Sequence, residues 1–207
     1  MQDKIKILNE YFKISLTLKS RIILLISVCV LVPTFFLPLW QLEFGAQQYP
    51  EGLEMFIYAD RMEGGDDGND LTEINVLNHY IGMAELNEEN FTEFQWIPLV
   101  IGLILVLTLR SVVVGDLKSL IDLLVFMFYF SVYSLWRFWY MLSSYGHNLD
   151  PKAAVKVAPF TPPVFGTKMV GQFTVASYPD IGSFFFILFA LMIVFAVWLT
   201  YKASKIN

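Results

Sequence analysis

His79 and Met83 stand four residues apart in the stretch DLTEINVLNHYIGM (70–83), and Asn75 precedes them by another four. On a helix, residues four apart lie one above another, so this spacing puts an amide, an imidazole and a thioether on one stripe. Thioether plus imidazole is a soft-to-borderline donor pair that suits copper, Cu(I) above all, better than magnesium or calcium. Two donors make a poor site, so further ligands must come from elsewhere in the chain. The same residues also fit a plainer use, with His79 as a hydrogen-bonding surface residue and Met83 as apolar filler.

The chain has one other histidine, His147, in YGHNLDP (145–151), beside Asp150. A composite copper site of His79, Met83 and His147, with Asp150 or Met169 as a further ligand, has chemically reasonable donors. Met55 and Met62 are reserves. No nucleophile elbow, phosphate loop, HExxH or haem-attachment motif occurs, and the sequence reads as a non-enzyme. The Asp66–Asp70 cluster has the composition of a calcium loop. Leu77, however, stands where an EF-hand needs its bidentate Glu. Cys29 is the single cysteine, which excludes an internal disulfide and a zinc pattern.

The elements that must position these residues are long apolar runs. Of 207 residues, 56% are hydrophobic, and several runs reach the roughly 20 residues that cross a bilayer as a helix. The net charge of −5 and the lack of a basic patch argue against nucleic-acid binding. The expected fold class is an all-α membrane protein of four transmembrane helices, carrying a small α+β extracytoplasmic cap built from two loops. The expected spans are 22–40, 96–114, 119–142 and 183–201. The loops are 41–95 and 143–182. Residues 1–20 form a basic tail or a helix lying on the membrane surface, and 202–207 a short basic tail.

Within the first loop, Leu53, Met55, Ile57 and Ala59 alternate with Glu54, Phe56 and Tyr58, which predicts a strand. A helix is predicted over 70–84, with Asp70 as its cap and Glu73 near the positive end of its dipole. In the second loop a strand is predicted over 172–177. Pro33 and Pro38 should kink or end the first span near its outer side. The third span is rich in Phe, Tyr and Trp, a stripe that suits helix packing and an interfacial belt, or contact with a quinone or lipid. Asp122 and Arg137 in that span lie too far apart to pair with each other. Arg137 has many outer-loop carboxylates to choose from.

Lys and Arg concentrate in the amino-terminal tail, the 110–118 connection and the carboxy-terminal tail. By the positive-inside rule both termini are cytoplasmic, and both loops face the periplasm of a bacterial inner membrane. Lys152, Lys156 and Lys168 in the second loop run against the trend.

The strings YPEGLEMFIYADRMEGG, DLTEINVLNHYIGM and YGHNLDPKA…FTPPVFGTK resemble a family of bacterial membrane proteins, common in Bacteroidota, found alongside the nitrous oxide reductase maturation machinery. The resemblance covers both loops, and LNHYIGM and GHNLDP are its most specific strings. It implies an accessory role around a periplasmic copper enzyme: copper handling, assembly or electron supply. At 166–173 the chain reads GTKMVGQF and departs from the family pattern, so Met169 is a candidate by chemistry and not by resemblance. The implied partners are the lipid bilayer and a membrane complex or periplasmic copper protein. The competing reading is a structural subunit whose LNHYIGM surface docks a protein without metal.

Overall fold

The computed structural model describes residues 12–170 and 173–205. The expected surface helix over 1–20 therefore falls largely outside the described residues. Among the described residues, four helices are long and apolar enough to cross a membrane. They are α1 (Leu18–Leu31, continued by a 3-10 turn over Val32–Phe35), α3 (Glu93–Val114), α4 (Leu117–His147) and α5 (Ile181–Ser204). A shorter helix, α2 (Asn69–Ile81), lies between the first two of these. Among the described residues there are also five strands, β1 (Trp40–Ala46), β2 (Tyr49–Ile57), β3 (Met62–Gly64), β4 (Gly166–Val170) and β5 (Phe173–Pro179). The all-α description holds for the spans alone. The two loops build one antiparallel sheet of order β3-β2-β1-β5-β4.

The chain divides into two compact units, the first made of Met1–Pro33, Pro98–Ser131 and Phe184–Asn207. Its helices pack around Leu24, Ile104, Leu120, Phe189 and Ile193, all fully or almost fully buried. Buried hydroxyls tie them further: Ser20 Oγ donates to the Ala196 carbonyl at 3.1 Å and lies 2.9 Å from Thr200 Oγ1. Thr17 caps α1 by accepting from the Ser20 amide, so the helix starts before Arg21 rather than at it. Large apolar side chains such as Leu99, Val113 and Phe128 face outward, as lipid contact requires.

The second unit comprises Thr34–Ile97 and Val132–Ser183. Here the first predicted span is corrected. Its helical part ends by Phe35, between Pro33 and Pro38, and Trp40 already belongs to β1. Proline removes helical hydrogen bonds and drives the residue before it to extended backbone, and the Leu39 amide donates to Ile57 instead. Leu42 and Phe44 alternate with Gln41 and Glu43, a period-2 pattern hidden in sequence by the apolar run before it. β2 confirms the predicted strand: Leu53 and Met55 are buried and Glu54 is exposed. The register Leu42↔Met55 and Phe44↔Val175 lines up one apolar face. That face packs with Met62, Ile74, Leu77 and Val170, and with Phe138 and Leu142 of α4, into the unit's core.

α4 has 31 residues, about 46 Å at 1.5 Å per residue. That exceeds a hydrocarbon core of about 30 Å. The predicted span 119–142 thus gains the first residues assigned to the second loop, His147 included.

Candidate functional site

α2 is held to the sheet by its own carboxylates. Asp70 Oδ2 accepts the Glu54 amide at 2.8 Å, and Glu73 accepts the Tyr49 hydroxyl. That bond to a carboxylate raises the Tyr49 phenol above its ordinary value. Asp70 therefore anchors the helix instead of capping it; the cap is Gly68, with no side-chain bond. Asn75 is also spent internally. Its amide donates to the Leu86 carbonyl at 3.2 Å and accepts the Leu86 amide at 2.8 Å.

The helix stops at Gly82, which adopts a left-handed conformation with φ 80°. The Met83 amide turns back to the Asn78 carbonyl, the closure typical of a glycine C-cap. This corrects the expected helix over 70–84. The stripe runs through Asn75 and His79 and ends there; Met83 leaves it and lines an apolar cavity.

The two loops meet at this turn. The Asp150 amide donates to the Gly82 carbonyl at 2.8 Å, and the Val155 amide to the Tyr80 carbonyl at 2.9 Å. His79 and His147 are each three residues from that junction, and both are exposed, as is Asp150. His147 Nδ1 lies 2.8 Å from the Ser143 carbonyl and donates to it in the neutral ring, which leaves Nε2 as the free lone pair. Metal-bound histidines are oriented by the same kind of bond. Asp150 Oδ1 accepts the Lys152 amide. Met169 lies elsewhere, on edge strand β4 in register with Thr174 and 72% exposed. Among the described residues no three His, Cys, Asp or Glu side chains gather as a metal-holding group.

Comparison with protein-family models, curated proteins and solved structures finds no match to the chain.

Beside the junction lies a cavity of about 150 Å³. Its walls are almost wholly apolar, with Leu42, Phe44 and Met55 from the sheet, Met83, Phe94 from α3 and Phe138 from α4. Asn78, Glu93, Trp96, Ser134, Arg137 and Tyr145 also contribute to its lining, but almost no polar atom faces the space. Arg137 Nε and Glu93 Oε1 form an ion pair, with side chains 23% and 13% exposed. Arg137 has thus found a carboxylate, at the first residue of α3. Asn78 Nδ2 and Ser134 Oγ are buried without a hydrogen-bond partner. Sequence reasoning passed over Asn78, since an Asn beside Leu77 on an amphipathic helix reads as solvent-facing. The only signal for Ser134 was its place amid aromatic residues.

Proposed function

We propose that the chain is a non-catalytic accessory protein of a bacterial inner membrane, with cytoplasmic termini, whose periplasmic module binds copper transiently for a partner copper enzyme such as nitrous oxide reductase. The observation that supports this reading is the backbone bond between Gly82 and Asp150, with the exposed His79 and His147 each three residues along the chain from it. Two imidazoles, with Asp150 nearby, bind more weakly than a full ligand shell. That suits handing copper on, with the partner's donors completing the shell. Met83 and Met169 fall outside this set.

The test is Cu(I) titration of the full chain in lipid nanodiscs against a competing chelator. The H79A/H147A variant loses at least tenfold in affinity, while M83A and M169A bind like the parent. Parental binding by H79A/H147A overturns the reading. For orientation, D67C reacts with an impermeant thiol reagent added to intact spheroplasts.

The docking reading has its own support. Val76 and Tyr80 of α2 are 44% and 53% exposed, an apolar pair beside His79. Gentle extraction that yields a stoichiometric partner without metal favours it over copper.

A further inference from the structure

The cavity beside the junction has a neighbour. A second space of about 40 Å³ adjoins the first of about 150 Å³, and Phe44, Met83 and Pro162 belong to the walls of both. The two lie wholly within the second compact unit. Close-packed interiors leave few spaces larger than a water molecule, so one of benzene size with another at its end stands out. Almost no polar atom faces either space. A buried water needs two to four polar partners, so neither is a water site, and a polar or charged group would lose its hydration there without return. Hydrocarbon is what such walls accept.

Shape narrows the choice. Two spaces in a row suit a linear chain better than a ring. Met83 stands at their common wall, and its unbranched thioether adapts its rotamer to let a chain pass. The larger space holds about six carbons, so the guest is the end of a chain and not a whole lipid.

Position narrows it further. Phe138, Met141 and Leu142 of α4 line the larger space. Tyr133, Trp136 and Tyr140, on the same turns, are exposed and make ring contacts in series, with centroids 5.8 and 5.9 Å apart. Trp96 at the start of α3 meets Tyr133 at 5.5 Å. Exposed Tyr and Trp gather where a span leaves the hydrocarbon for the headgroups. The cavity therefore sits at the level of that belt, next to phospholipid chains. We propose that the paired cavities take up one acyl chain of a phospholipid from the surrounding bilayer, with its headgroup left at the interface. The chain is held by apolar burial alone, with no hydrogen bond to the guest. The site is independent of the copper reading, because His79 and His147 line neither space.

The test places the full chain in nanodiscs containing a phosphatidylcholine with a diazirine at the end of one acyl chain, and maps the adducts by mass spectrometry after irradiation. In the parent, adducts form on the wall residues Met83, Phe94 or Met141, as well as on outward-facing Leu99 and Val113, which any lipid touches. Met83→Trp narrows both spaces and lowers wall adducts about fivefold relative to those on Leu99 and Val113, because the added ring occupies the room. Met141→Phe narrows the larger space alone and lowers them in the same direction, which keeps the test decisive where the Trp variant does not fold. A free diazirine fatty acid at the same mole fraction labels the wall no more than the phospholipid does. Adducts in the parent confined to outward-facing residues, wall adducts unchanged in both variants, or wall labelling by the free fatty acid alone overturns the proposal.

Discussion

Arg137 of α4 and Glu93, the first residue of α3, form an ion pair at the rim of the apolar cavity, each with less than a quarter of its side chain exposed. Removing one partner of such a pair strands the other charge in a low-dielectric setting, whereas removing both does not. Full burial puts that cost at about 3–5 kcal/mol; residual exposure here lowers it to about 2–3 kcal/mol for R137L. E93Q/R137M, which strands nothing, loses about 1 kcal/mol or less. Thermal unfolding in nanodiscs checks both, and equal losses in the single and double variants refute the pairing argument.

Asn78 carries a cost in stability. Its amide is 5% exposed with Nδ2 unpartnered, so it carries a desolvation penalty of about 1–3 kcal/mol. Asn78→Leu removes the penalty and adds apolar contact. The expected result is a gain of about 1 kcal/mol, read as a higher unfolding midpoint. A Leu variant less stable than the parent means that Asn78 already has a partner in the folded chain.

What was legible in the sequence followed from periodicity. Runs of about 20 apolar residues announced the four spans. The alternation of Leu53, Glu54 and Met55 announced β2, and the spacing of Ile74, Leu77 and Ile81 announced α2. β1 was hidden because FFLPLWQLEF passes from span to strand without a polar break, and only the two prolines mark the change. β4 was hidden because Gly166–Val170 is largely exposed on a sheet edge, where no alternation is required. The meeting of the loops is a long-range pairing of backbone groups at Gly82 and Asp150; the glycine marks a turn in the sequence, but nothing in residue type names its distant partner. The expected His79–Met83 stripe failed at one residue. A glycine inside LNHYIGM ends the helix before the methionine, a stop signal written in the sequence itself.

Gly82 holds the junction. Its φ of 80° is a conformation other residues adopt at a cost, and an added Cβ would lie 2.8 Å from both the Asp150 carbonyl oxygen and the Ala153 Cβ. Backbone strain alone amounts to about 1–3 kcal/mol, and the clash with backbone adds to it. Gly82→Ala therefore lowers the unfolding midpoint and speeds amide exchange at Asp150 and Val155, whose protons the turn and Tyr80 accept. Gly68 is a control, with φ 94° and open space around a Cβ, so G68A pays strain alone and leaves those two amides protected. If G82A exchanges at Asp150 and Val155 like the parent, the turn does not hold the loops together.

Tyr49 ties the hairpin end of β2 to α2 through Glu73, and its phenol is raised above 10.0 chiefly because the hydroxyl donates to that carboxylate. Deprotonation removes the donor and sets two anions against each other. The stabilisation is thus present in full below the unfolded phenol's value of about 10 and is lost as pH rises through the higher folded value. Tyr49→Phe lacks the bond at every pH. The stability difference between parent and Y49F is therefore flat from neutral pH to about 9 and shrinks above 10. Chemical denaturation of both proteins across pH 8–11 reads it. A difference that stays constant through that alkaline window shows that the hydroxyl does not bond to Glu73 in the folded chain.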